Sequence, residues 1–320
     1  MSASCIWAAS TSCSVAQQLH DSKIATQLVE GFDAVFGGAH PHFRAVHAKG
    51  VVVLGSFMPA SSAAALTRAV HLNGAAVPVI VRFSNFAGIP DVADGASEAS
   101  PRGMAIRFQL PDGIDTDIVA HSYNGFPAAT PEEFVSFLHA VAKPDTLATF
   151  AQTRPAVQAF LAASKPTPAS YATEAYFGVN AFRFTNAAGS SKYGRYRLIP
   201  MAGESHLTAE QAEGKPKGFL LDELATRLAG GPVGFRLVVQ LAVDGDAIED
   251  GSIPWPSERP AVELGTIALR TLAPEQPHIQ QALRFVPTSL VSGIEPSKDP
   301  MLLARTQAYR VSAERRAGPE

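Results

Sequence analysis

Apolar residues first fall at helical spacing near the amino end, where Ile24, Leu28, Phe32 and Val35 mark one face of residues 22–36 and Gly37-Gly38 supplies a stop. The pattern then changes to strands. Runs rich in Val, Ile and Phe at 44–57, 77–84, 103–110 and 116–120 are separated by Gly, Pro and Asp clusters, and Pro111-Asp112-Gly113 predicts a hairpin turn. Thr130-Pro131-Glu132-Glu133 opens a helix with an N-cap, a proline in the first helical position and acids in the first turn, with Phe134, Phe137 and Leu138 on one face. More helix is predicted over 144–164. A second set of strands follows at 180–188, 193–200, 234–244 and 262–270, interrupted by a helix over 218–229. Two groups of four strands with helices between them suit an α+β fold built on a closed antiparallel eight-stranded β-barrel with helical insertions and C-terminal helices. Periodicity alone does not separate that barrel from a sandwich. The pattern divides the chain into a leader and helix (1–38), a barrel core (39–272) and a helical C-terminal segment (273–320).

A chain of 320 residues, 46% hydrophobic, can bury a large core and sits near the size at which one domain divides. Its net charge of −3 and lack of any Lys/Arg run leave no electrostatic footprint for nucleic acid, so a small or uncharged substrate fits better. Cys5 and Cys13, the only cysteines, fall in a Ser/Ala-rich leader expected to be loosely ordered, which supports neither a disulfide framework nor a zinc site. No stretch approaches the roughly 18 apolar residues of a membrane span. The first twenty residues lack the basic segment of a secretory signal, which favours the cytoplasm, or the periplasm if translation begins upstream.

Candidate chemistry gathers at the two ends. Arg305 and Tyr309 are four apart in a segment that reads as helix, so both side chains leave one face. Tyrosine ionises with a pKa of about 10. A tyrosinate at neutral pH, a good ligand for ferric iron, therefore needs a fixed positive neighbour or a metal, and Arg305 can be that neighbour. Taken alone the pair also fits a plain amphipathic helix. The second segment is His42-Phe43-Arg44-Ala45-Val46-His47-Ala48-Lys49-Gly50, running into Val51-Val52-Val53-Leu54.

Together with Val81-Arg82-Phe83-Ser84, Pro101-Arg102-Gly103-Met104-Ala105-Ile106-Arg107-Phe108 and Gly293-Ile294-Glu295-Pro296-Ser297, in that order, the two segments resemble the haem catalase family, for which tyrosine ligation of iron is the known case. The resemblance implies haem b with Tyr309 as the metal ligand and Arg305 as its charge partner. It implies His47 as the distal acid and base, since peroxide cleavage needs a group that takes a proton from one oxygen and returns it to the other, and Ser84 as a hydrogen-bond partner of that imidazole. Arg44, Arg82 and Arg316 match positions that bind the propionates. Val46 and Phe134 match apolar positions beside the haem and its access route. For the distal amide, ungapped alignment on Asp117-Ile118-Val119 puts His121 in place, whereas chemical identity favours Asn124, three residues on. Arg44 and His47, three apart, would point to opposite faces of a regular strand, so both can face one site only across a bend or bulge.

The sequence resembles most the short, catalase-related peroxidase branch, with Asn124-Gly125-Phe126-Pro127 in place of the usual distal loop and Tyr309-Arg310-Val311-Ser312 in place of Y-P-D-T. The implied activity is reduction of hydrogen peroxide or organic hydroperoxides with a small-molecule electron donor, and weak catalase activity. Alternatives are a true catalase, a fatty-acid hydroperoxide isomerase and a non-enzymatic haem-binding protein. No nucleic-acid or membrane partner is implied, and a homodimer is allowed.

Overall fold

Eight strands close into an antiparallel ring in the computed structural model, which describes the backbone of residues 5–318 and the side chains of 20–318 other than Asp112. The side chains of Cys5 and Cys13 lie outside those described, and with them the expectation that they form no disulfide. The strands are β1 (Gly50–Pro59), β2 (Val77–Ser84), β3 (Gly103–Gln109), β4 (Asp115–His121), β5 (Tyr176–Phe177), β6 (Phe182–Thr185), β7 (Ser191–Pro200), β8 (Val233–Leu241), β9 (Ala261–Leu272) and β10 (Ile294–Pro296). The ring runs β1-β2-β3-β4-β5-β7-β8-β9, and β9 pairs back onto β1. Strands β6 and β10 lie outside it, β6 on β7 and β10 on β6.

Alternation sorts each strand into two faces. Phe57, Val81, Phe83, Ile106, Phe108, Phe235 and Ile267 point inward and fill the barrel with fully buried side chains. Val52, Ile80, Ala105 and Val119 point outward, into a separate apolar layer. The helices are α1 (Cys5–Val35), α2 (Ala63–Leu66), α3 (Pro131–Val141), α4 (Pro144–Ala151), α5 (Pro155–Ala162), α6 (Ala209–Glu213), α7 (Phe219–Gly230), α8 (Gln276–Ala282) and α9 (Pro300–Ala317). Leu28 of α1, Phe134, Phe137 and Leu138 of α3 and Met301 and Ala308 of α9 form a second core. Helices α1 and α3 approach so closely that a Cβ on Gly31 would lie 2.9 Å from Leu138 Cδ1. No described helix is long and apolar enough to cross a membrane.

Several boundaries differ from expectation for identifiable reasons. Helix α1 begins at Cys5, where a loose leader is expected, because a run of Ala, Ser and Gln carries good helix formers and no Gly or Pro. It ends as expected, with Gly37 at φ 80° and Gly38 donating its N–H to Asp33 O at 2.7 Å. The expected helix 144–164 is two helices, the second starting at Pro155, which can begin a helix but not continue one. The fifth wall of the barrel is the two-residue β5, while the strand expected at 180–188 is β6, outside the ring. The first strand begins at Gly50 and not at 44.

Candidate active site

The outward faces of β2–β4 and the facing sides of α1 and α9 line two adjoining cavities that open to solvent. Val46, His47, Val119 and Tyr309 border both.

One wall is built by α9. Pro300 occupies its first position, and Asp299 caps it, the carboxylate Oδ1 accepting from the N–H groups of Met301 at 2.9 Å and Leu302 at 3.3 Å. The other oxygen, Oδ2, accepts from Asn180 Nδ2 at 2.7 Å, and Asn180 Oδ1 accepts from Arg305 Nη1 at 2.6 Å. Arg305 then donates to the Tyr309 phenolic oxygen twice, from Nε at 3.0 Å and from Nη2 at 2.8 Å. A phenolic oxygen receiving two charge-assisted donors is held as an acceptor, the arrangement a phenolate suits. The cap that starts the helix thus also anchors the guanidinium two turns along it. Burial raises the pKa of Asp299, against the lowering by Asn180 and the helix N–H groups.

Of the four arginines that line the first cavity, three are wholly or partly buried. Arg44 donates to Leu283 O at 2.7 Å, and Arg316 donates to Gln281 O and Leu283 O, both at 3.0 Å. Arg82 donates to Gln280 Oε1, His47 O and Ala48 O. Among the described residues no carboxylate bonds any of the three. Burial, then mutual repulsion, pushes Arg44 well below the ordinary guanidinium range, and burial lowers Arg82 to about 10 and Arg316 less far. Helix α9 runs unbroken to Ala317 despite the Tyr309-Arg310-Val311-Ser312 sequence, which brings Arg316 to the cavity lined by Tyr309. Arg284 lies exposed on the same rim.

His47 leads into β1 with φ 59°, in the left-handed region. Its N–H donates to Phe86 O at 2.8 Å and its carbonyl accepts from Arg82 Nη2 at 2.9 Å, so the surroundings dictate the conformation. This backbone reversal is why Arg44 and His47 line one cavity. Residues 44–49 are not strand, so the period-two objection does not apply. The ring packs edge-on to Phe86, with Nδ1 3.1 Å from Asn85 O and 3.1 Å from Ser84 Oγ. The part of the ring left accessible borders the cavities. Burial first, then Arg82, lowers its pKa to about 3, so the imidazole is neutral at ordinary pH.

Phe134 lines the second cavity, packed on Phe32, Phe126 and Phe137. His121 lines it too. Asn124 does not: it sits in a bend after β4, where Gly125 N–H returns to Tyr123 O at 3.1 Å, and its Oδ1 is buried without a partner among the described residues. Asn124 thus stands apart from the lining of either cavity, which the chain rejoins at Phe126, Pro127 and Ala128. Sequence reasoning also missed Asn180, Asn85 and Asp299. Of these only Asp299-Pro300, a capping residue before a helix-initiating proline, carried a local signal.

The catalase family model matches residues 36–320. A catalase-related peroxidase of Mycolicibacterium paratuberculosis is 42% identical over 289 residues, which cover 88% of this chain and 91% of that protein. A catalase-related peroxidase of Synechococcus elongatus is 32% identical over 301 residues, covering 91% and 88%. Among solved structures, a fungal catalase superposes with a TM-score of 0.77 at 24% identity, covering 87% of this chain and 60% of that one. Catalase A from Saccharomyces cerevisiae gives 0.76 at 23%, covering 87% and 62%, so the chain spans about three fifths of these larger proteins and shares their fold. Agreement with the family model over residues 36–320 and with both peroxidase relatives over most of the chain places this chain in the catalase family.

Proposed function

We propose that the protein is a haem b peroxidase that reduces hydrogen peroxide or organic hydroperoxides with an external small-molecule electron donor, with weak catalase activity. The observation that carries the reading is the pairing of Tyr309, held by Arg305 at 2.8 and 3.0 Å, with a neutral His47 bordering the same cavities. The residues present fit haem: a phenol for the iron, an apolar slot, and three arginines without a carboxylate where two propionates need cations. When bound, haem iron supplies the redox chemistry that accepts electrons from the donor and passes them to the peroxide.

The chain's own residues handle the proton. Asn85 O accepts from His47 Nδ1, which leaves Nε2 as the free base. It takes the proton from one peroxide oxygen and returns it to the oxygen that leaves, so ROOH, two electrons and two protons give ROH and water. Ser84 and Arg82 hold the ring in place. Phe126, Phe134 and Phe137 keep the pocket apolar and offer contact area to the carbon part of a hydroperoxide.

The test is steady-state turnover of haem-loaded protein with cumene hydroperoxide and an aromatic donor, beside oxygen release from hydrogen peroxide. Donor oxidation with slow oxygen release is expected, and loss of about 10² to 10⁴ in rate in His47→Ala. Rapid oxygen release without donor oxidation would return the protein to the ordinary catalases.

A further inference from the structure

Leu283, Arg284 and Phe285 line the mouth of the first cavity on a backbone that is pinned along its length. Leu283 O accepts from Arg44 at 2.7 Å and from Arg316 at 3.0 Å, Arg284 O accepts from Arg107 Nη2 at 2.6 Å, and the Val286 N–H donates to Asp117 Oδ2 at 2.7 Å. Leu283 and Phe285 are buried, and Arg284 between them is exposed. Its guanidinium has no hydrogen bond, ion pair or ring partner among the described residues. It stands close enough to Arg316 that its charge, after burial, lowers the pKa of that residue. The backbone is fixed and the one free group on it is a cation.

The charges at this mouth do not balance. Arg44, Arg82, Arg284 and Arg316 are four cations, and the two propionates of a haem would neutralise two of them. The acids of the neighbouring elements are already engaged: Asp115 and Asp117 by Arg107, Glu30 and Asp33 by Arg315, and Glu314 by Arg310. Two positive charges are left over in a chain whose net charge is −3, so the excess belongs to this cavity and not to the surface as a whole. A cleft lined by one sign of charge focuses its field and raises the local concentration of the opposite ion. The second cavity differs, since its one arginine, Arg305, is spent on Tyr309 and its wall is largely phenylalanine. A peroxide must reach His47, and its carbon part fits that aromatic wall. An electron needs only the edge of the macrocycle, where the arginines stand.

We propose that the mouth of the first cavity, with Arg284 as its outermost cation, binds the external electron donor, and that this donor is a small organic anion with an oxidisable hydroxyl, such as an enediolate or a phenol carboxylate. The inference rests on the peroxidase reading above and names the class of its second substrate. Each donor, written DH⁻, gives up one electron and one proton and leaves as the radical D•⁻. Two DH⁻ and one ROOH give ROH, water and two D•⁻, so two electrons and two protons match the cleavage of one O–O bond.

Guaiacol and homovanillate share a methoxyphenol and differ by a carboxylate arm, which makes them a matched pair of probes. In the haem-loaded protein, Arg284→Gln should raise KM for homovanillate about fivefold and leave both KM for guaiacol and the rate of peroxide cleavage as they are. Arg284→Lys, which keeps the charge, should recover most of the loss. Raising the salt from about 10 to 150 mM shortens the Debye length from about 30 to 8 Å, so KM for homovanillate should rise in the wild type and rise less in Arg284→Gln. A readout free of turnover comes from protein loaded with a gallium porphyrin, where saturation-transfer NMR should show homovanillate bound to the wild type and more weakly bound to Arg284→Gln. A homovanillate KM that Arg284→Gln leaves unchanged, or moves together with that of guaiacol, would overturn the proposal and leave the peroxidase reading standing. Oxidation of neither donor would sink the peroxidase reading, and the NMR contact would still decide the anion site. A chain that takes up no porphyrin would overturn both.

Discussion

Gly103→Ala perturbs the distal imidazole without removing any polar group. An added Cβ would stand 2.6 Å from Ser84 Oγ and 2.9 Å from Cε1 and Nδ1 of His47, where ordinary contact begins at 3.4 Å. The ring must retreat by about half an ångström and the hydroxyl by somewhat more, and Phe86 packed edge-on against the ring leaves little room. Overpacking of this kind costs about 1 to 3 kcal/mol. Because misplacing a reacting group by about 1 Å can cost 10²-fold in rate, a shift of half that distance should slow peroxide cleavage by about tenfold. The arginine cradle lies on other residues, so haem affinity should be retained. Urea unfolding reads the first effect, stopped-flow reaction with peroxide the second and a haem titration the third. Adding Ser84→Ala removes the 2.6 Å contact but not the ring contacts, so the double variant should regain more stability than rate. Wild-type cleavage in a destabilised Gly103→Ala would refute the claim that the position of His47 limits the reaction.

Tyr309→Phe removes the ligand oxygen and should abolish or greatly weaken haem binding; a ferric spectrum like the wild type would show that the iron is held elsewhere. Arg44→Leu should weaken haem binding by about 1.5 to 3 kcal/mol, the worth of a charged hydrogen bond, while the haem-free protein is no less stable because repulsion from Arg82 and Arg316 is relieved; an unchanged haem affinity would count against the cradle. Acid should destabilise the fold below about pH 6.5: burial lowers His47 and His121 to about 3 and His71 to about 4, so the unfolded chain binds more protons across that window and stability falls as pH drops through it. The effect is about 2 kcal/mol per ring at pH 5, opposed at lower pH by the raised carboxyls Asp117, Glu174 and Asp299. Urea midpoints equal at pH 8 and pH 5 would refute it, and His71→Leu should lessen the drop.

Most barrel strands were legible because their apolar runs are long, as in Val77–Ser84. Tyr176–Phe177 is too short to carry a period, so its place in the wall was taken by the longer run that became β6. The bend at His47 was foreseen as a necessity and not as a conformation. A φ of 59° is set by Phe86 O and Arg82, distant in sequence, and nothing local in Ala45-Val46-His47 announces it. The Arg305–Tyr309 contact was readable from helical spacing alone, whereas Asn180 and Asp299 meet across 119 residues and carry no shared pattern. Strand β4 ends at His121, three residues short of Asn124, and element boundaries are what periodicity resolves least well.

The cradle and the proximal ligand are linked by one rigid element. Tyr309 and Arg316 lie seven residues apart on α9, about 10 Å along its axis, so a single helix sets the distance between the phenol and an edge cation. Sliding that helix by one residue would turn both side chains about 100° away from the cavity together. What opposes the slide sits at its start, where Asp299 caps the first turn and, through Asn180, grips Arg305 from outside the helix. The grip does not neutralise the cradle. Leu283 O accepts from both Arg44 and Arg316, which satisfies N–H groups but leaves three charges facing one another. With Arg82 lowered only to about 10, that guanidinium stays charged at neutral pH, and the cavity edge stays cationic. An apolar slot alone would accept any flat hydrophobe. A slot edged by Arg44, Arg82 and Arg316, none of them bonded to a carboxylate among the described residues, favours a flat partner that brings two negative charges, and fixes which end of it faces them.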